Sequence, residues 1–251
     1  MTRDGTAHSV VIGGTRGHGR AWVKLLAAKG HSVSVFGLRP PGEADRGLPD
    51  VAFESVDLSR PKAADRIARK IAARGKLDSL VFFQRYRGTG DCWANELAVS
   101  LSSTKEIIER LSGRFAADGS RSIVVVGSAA TTFIAGEQPP GYHVAKAGLL
   151  HLGRYYAVGH GPQRLRVNMV SPGAMIKEES QAFYDAQTSL RALYDRVIPL
   201  GRMGSSKDVS GAVDFLCGRQ SAFITGQNIV VDGGLSLLWQ ESLARAVSPL
   251  S

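Results

Sequence analysis

At 251 residues and 43% hydrophobic content, the chain has apolar material for one well-packed domain and is short for two independent cores. No apolar run reaches the roughly 18 residues of a membrane span, and the opening MTRDGTAHS lacks the apolar stretch of a secretory signal, so a cytoplasmic protein without a membrane partner is expected. The net charge of +9 comes from scattered Lys and Arg with no dense block, which argues against a nucleic-acid partner and suits a phosphate-bearing cofactor or an anionic substrate.

Along the chain, short β-branched runs alternate with longer helical patterns. Strands are expected near residues 9–13, 32–36, 51–55, 79–83, 122–127, 166–170 and 228–231. Helices are expected over 17–29, 61–73, 92–115, 141–158 and 207–217, with another near 182–196. This order predicts a single-domain α/β fold, a doubly wound (Rossmann) parallel sheet of about seven strands with helices on both faces. The Pro/Gly-rich stretch 39–50 reads as a surface loop, and residues 174–200 as a substrate loop. The tail 235–251 carries Leu235, Leu237, Leu238 and Trp239, and is expected to pack on a neighbouring subunit. Cys92 and Cys217 are not in a metal-ligand spacing; they read as buried or half-buried thiols, with no disulfide and no metal expected.

The first strand runs into VIGGTRGHGR, where Gly13, Gly17 and Gly19 stand at the turn into a helix. Glycines there let the backbone turn tightly and approach a pyrophosphate, whose charge is met by helix amides. Thr15, Arg16 and His18 fill the same loop and are counted with the cofactor-binding residues; as a catalyst, His18 reads as a filler position, as does His143. An NAD-selective site places an acid after the second strand, but that stretch reads SVSVFGLRP. Arg39 follows instead, and with Arg16 it supplies guanidiniums for a 2′-phosphate, so NADP(H) is the expected cofactor. Asp57, followed by Leu58, either accepts from the adenine amino group or caps the following helix.

The fifth strand ends in IVVVGS at Ser128, and GYHVAKAG follows with Tyr142 and Lys146 four residues apart, on one helix face. An ammonium beside a phenol stabilises the phenolate, which makes Tyr142 a usable proton donor to a carbonyl oxygen. The Ser128 hydroxyl can share that oxygen as negative charge develops.

Together these residues resemble the classical short-chain dehydrogenase/reductase family across nearly the whole chain. The resemblance rests on the glycine loop, Asp57, Ser128, Tyr142 with Lys146, VNMVSPG closing at Pro172 and Gly173, and PLGRMGSSKDV with FITGQNIVVDGG near the end. It implies hydride transfer between nicotinamide and a carbonyl or alcohol, with Tyr142 as general acid/base and Ser128 as carbonyl polariser. Lys146 would bind the nicotinamide ribose and lower the Tyr142 pKa, Pro172 and Gly173 would flank the nicotinamide, and a homotetramer, or a homodimer, would form. Three places depart from the pattern. Phe82, Phe83, Gln84 and Arg85 replace NNAG, so the adenosine-side packing must differ, with Gln84 still counted at the cofactor. Ser100 stands where the family has an Asn that holds a relay water, and Lys177 replaces the Thr after the PG motif.

The implied activity is NADP(H)-dependent reduction of a ketone on a small polar substrate: sugar-like, nucleoside-like or another secondary metabolite. Lys177, Glu178, Glu179, Gln181, Tyr184 and Arg191 in the substrate loop favour polarity, and Arg85, Tyr86 and Arg87 suit an anionic or hydroxylated group. The competing readings are a catalytically impaired dinucleotide sensor and a nucleotide-sugar dehydratase or epimerase, the latter usually a longer chain with an added substrate domain.

Overall fold

The computed structural model describes residues 6–117 and 120–248. The strands are β1 (His8–Ile12), β2 (Ser32–Gly37), β3 (Val51–Ser55), β4 (Ser79–Phe82), β5 (Ser122–Val126), β6 (Arg166–Pro172), β7 (Met175–Ile176), β8 (Gly204–Ser205) and β9 (Asn228–Val231). Seven of them form one parallel sheet in the order β3-β2-β1-β4-β5-β6-β9, and β7 and β8 pair separately. The order grows outward from β1 to β3 and then reverses to β4, so a crevice opens at the carboxyl ends of β1 and β4.

Both faces of the sheet are buried, which is why its strands are apolar almost throughout. Val10, Ile12, Leu80, Phe82, Ile123 and Val125 point to one face, where helices α2 (Ala63–Ala72), α4 (Ser103–Leu111) and α5 (Pro140–His160) supply Ile67, Ile71, Ile107, Ile108 and Leu149. Val11, Val33, Val35, Val81, Val124 and Val170 point to the other, under Trp22 and Leu26 of α1 (Gly17–Ala28) and Val209, Val213 and Leu216 of α8 (Ser206–Cys217). No helix of the described residues is long and apolar enough to cross a membrane.

Several expected boundaries shift. The first strand stops before Gly13, whose φ of +80° cannot continue a strand. The sixth runs on to Pro172 because Val231 of β9 pairs with it. The expected helix 92–115 is continuous but not uniform: α3 (Cys92–Glu96) passes through a π-helical stretch, Leu97–Ser102, into α4 and ends in a 3-10 turn. The expected helix 182–196 is two helices, α6 (Gln181–Ala186) and α7 (Thr188–Val197), because Gln187 leaves the helical region at φ −102° and ψ 61°. The tail forms a further helix, α9 (Gln240–Val247); residues 249–251 lie outside the described residues. Cys92 is exposed, contrary to expectation, because it opens α3 beside the capping Asp91 at the surface. Burial pushes the Cys217 thiol up to about 12.

Candidate active site

The glycine loop is built by close backbone approach. A Cβ on Gly13 would lie 2.7 Å from the Gln84 backbone nitrogen, and one on Gly19 would lie 2.4 Å from the Gly13 carbonyl oxygen. Larger residues would push β1, β4 and α1 apart. The first turn of α1 has neither a side-chain cap nor an acidic residue, so its amides are open to an anion. One anion already sits there: the Gly17 amide donates to the Glu179 carboxylate at 2.7 Å. The neighbouring Glu178 pairs with Arg20, which also holds Asp45, so the start of the segment 174–200 is fastened over the glycine loop. A carboxylate at this amide stands in for a phosphate oxygen, and the loop therefore fits the pyrophosphate of a dinucleotide. Thr15 borders the end of β2, with its Oγ1 3.5 Å from where a Gly37 Cβ would be.

Beyond the carboxyl ends of β1 and β2, Arg16 and Arg39 are both exposed. The Asp57 carboxylate accepts from the Ser59 amide at 3.0 Å and from the Ser59 hydroxyl at 2.7 Å, with Arg60 at 3.4 Å. The Ser59 hydroxyl chiefly holds this carboxyl below its usual range. Asp57 thus fixes the turn toward α2, while Lys62 occupies the N-cap position. Leu58 packs against the core. Where the family has NNAG, Phe82 is in the core, Phe83 packs on Trp22 with ring centroids 6.1 Å apart, and Gln84 donates to Thr104 Oγ1 at 2.8 Å. The Gln84 amide oxygen is buried without a partner, an acceptor that a bound cofactor can use.

Pro140 opens α5, a position where a missing N–H removes nothing from the helix. Tyr142 and Lys146 then lie one turn apart and are 8% and 3% exposed. Lys146 Nζ is 5.6 Å from the Tyr142 ring centroid and donates to the Val126 carbonyl at 3.2 Å. Burial lowers the Lys146 pKa to about 8; Glu96 opposes that shift, and Arg85 and Lys177 add to it. Ser128 follows β5 and caps a 3-10 turn by accepting from the Ala130 amide at 3.2 Å, which leaves its hydroxyl proton to donate. Pro172 ends β6, and the Gly173 amide just after it donates to the Val231 carbonyl at 3.0 Å.

Positive charge gathers around the phenol. The Arg85 guanidinium lies 4.6 Å over the Tyr142 ring and donates to Gln138 at 3.1 Å. Burial holds Arg87 and Lys177 below their ordinary values; Arg85 adds to both shifts and Arg87 to that of Lys177, and Glu179 opposes both. His18 bonds Ser206 at 3.0 Å, and burial with Lys177 and Arg87 lowers its pKa to about 3, so it is neutral. His143 accepts from the Ala135 amide at 2.9 Å and ties the loop after Ser128 to α5.

Ser100 is fully buried in the π-helical stretch, and its hydroxyl donates to the carboxylate of Glu96. Glu96 is the residue that the sequence reading missed. Its only local signal is a carboxylate one turn before Ser100.

A family model described as enoyl-(acyl carrier protein) reductase matches residues 13–236. The chain is 29% identical over 241 residues to the 3-oxoacyl-(acyl-carrier-protein) reductase FabG of Chlamydia pneumoniae, covering 90% of this chain and 96% of that one. It is 26% identical over 243 residues to the glucose 1-dehydrogenase of Gluconobacter oxydans, covering 91% of each. The ligand-free aldohexose dehydrogenase of Thermoplasma acidophilum has the same fold, with a TM-score of 0.81 at 22% identity over 93% of this chain and 95% of that one.

Proposed function

The chain belongs to the short-chain dehydrogenase/reductase family, and from that premise we propose that it is an NADP(H)-dependent reductase of a ketone on a small polar substrate. The observation that carries this reading is the buried pair of Tyr142 and Lys146 beneath Arg85, on the helix that follows Ser128. The nicotinamide, when bound, supplies the hydride. Tyr142 gives its proton to the carbonyl oxygen, Ser128 donates a hydrogen bond to the same oxygen, and the Lys146 ammonium stabilises the phenolate left behind.

Gly13, Thr15, Gly17, His18 and Gly19 would hold the pyrophosphate side of the cofactor. Asp57, Leu58 and Gln84 would border the adenosine, and Pro172 and Gly173 the nicotinamide. Arg16 and Arg39 support the choice of the phosphorylated cofactor, since no acid follows β2 and both guanidiniums are exposed. Arg85, Arg87 and Lys177 favour a substrate with a carboxylate, a phosphate or several hydroxyls near its ketone. The proposed assembly is a homotetramer in the cytoplasm.

Cofactor choice is tested by titrating the protein with NADPH and NADH while following its fluorescence. Arg39→Ala should weaken NADPH by about tenfold, equivalent to roughly 1.4 kcal/mol, and leave NADH nearly unchanged. Equal affinity of the unmodified protein for the two cofactors would overturn the NADP(H) assignment.

A further inference from the structure

Behind the catalytic pair stands a buried carboxylate that the proposed reaction does not use. Glu96 is 2% exposed and receives the Ser100 hydroxyl from the next turn of its helix. An ionised carboxylate this far from water is strongly disfavoured unless a cation compensates it.

Helix packing brings it to one. A Cβ on Gly141 would lie 3.0 Å from the Trp93 Cα, and one on Gly148 would lie 3.1 Å from the Leu101 side chain. The two helices therefore run side by side in the same direction, with 93 level with 141 and 101 level with 148. In that register Lys146 falls between the levels of Glu96 and Ser100. Glu96 also favours the charged form of Lys146 through space, although the two form no direct ion pair and Lys146 Nζ donates to Val126. The π-helical stretch between α3 and α4 holds Ser100 in this seam. A hydroxyl that donates to a carboxylate keeps its own lone pairs to accept from a bridging donor.

We propose that Glu96, held by the Ser100 hydroxyl, is the counter-ion that keeps Lys146 protonated beside Tyr142. It is a positioning residue acting through Lys146, and the proposal rests on the catalytic reading of Tyr142 and Lys146 given above. The other groups facing Lys146 are Arg85 before α3, Lys177 of the substrate loop and Tyr142 on its own helix, and both cations oppose its charge. Glu96 is the carboxylate that offsets them.

The test reads Lys146 directly, by nuclear magnetic resonance of lysine labelled with carbon-13 at Cε, in cofactor-free protein. Glu96→Gln should lower the Lys146 midpoint by about one pH unit or more, and Glu96→Asp should recover most of that shift. An unchanged midpoint in Glu96→Gln would overturn the proposal. In turnover, the alkaline limb of kcat, which reports the complex with cofactor and substrate, should move down in pH in the same direction. If Glu96→Gln folds poorly, its melting midpoint should rise by roughly 4 °C when Lys146→Met is added, because the uncompensated charge is removed. Strictly additive effects of the two substitutions would overturn it as well. The titration and the melts need neither substrate nor cofactor, so a protein that reduces no ketone would refute the proposed function and leave this result standing.

Discussion

In the proposed reaction Tyr142, Lys146 and Ser100 would divide the chemistry unequally. Lys146 borders the phenol directly, whereas the Ser100 hydroxyl is committed to Glu96. Ser100→Ala should therefore lower turnover at saturating NADPH at least about tenfold less than Lys146→Ala, a difference of roughly 1.4 kcal/mol in barrier. Equal losses would show that the serine carries the whole role of the family asparagine. The residues legible in the sequence were those whose chemistry is local. Tyr142 and Lys146 announce themselves by a four-residue spacing, and Gly13 and Gly19 by the turn they allow. Glu96 was not legible because its significance comes from Lys146, 50 residues away and brought level with it by helix packing. Asp57 illustrates another limit: the same carboxylate suited an adenine contact or a cap, and the structure gives it Ser59.

The segment 174–200 begins on the N-terminus of α1, with Glu179 at the Gly17 amide and Glu178 on Arg20. A carboxylate and a cofactor phosphate compete for that amide. Glu179→Gln should thus tighten NADPH binding by roughly twofold to fivefold, the range expected when a charge leaves an exposed helix terminus. Calorimetric titration checks it, and weaker binding would mean that Glu179 supports the bound state instead. The main strands and helices were legible because periodicity reflects which face is buried. What periodicity does not report is a change of helix type. The π-helical stretch at Leu97–Ser102 turns a serine, Ser100, into the buried position, and Gln187 breaks a helix within a polar run that offers no Gly or Pro. The short pairing of β7 with β8 escaped for a different reason, since two-residue strands have no period to read.

Among the described residues large apolar side chains are exposed at several places, among them Ile134 and Phe223, and two of these places bear on the proposed assembly. Tyr155 and Val158 stand out from α5, the latter 81% exposed, and Leu237 and Trp239 stand out ahead of α9, the latter 67% exposed. Two independent self-complementary faces are what a four-chain assembly with dihedral symmetry uses. Sedimentation should find four chains in the unmodified protein, and two in either Val158→Asp or Trp239→Ser. A monomer in the unmodified protein would remove the proposed assembly and leave both patches unexplained. In the proposed reaction this scaffold brings a phenol proton donor and a bound NADPH to one ketone. Its most direct test mixes the protein with NADPH and a panel of polar ketones, including anionic and hydroxylated ones, and follows the absorbance of the reduced nicotinamide. NADPH should be consumed with at least one ketone, and Tyr142→Phe should cut that turnover by about a hundredfold or more while NADPH still binds. Near-normal turnover in Tyr142→Phe, or tight NADPH binding with no ketone reduced, would contradict it.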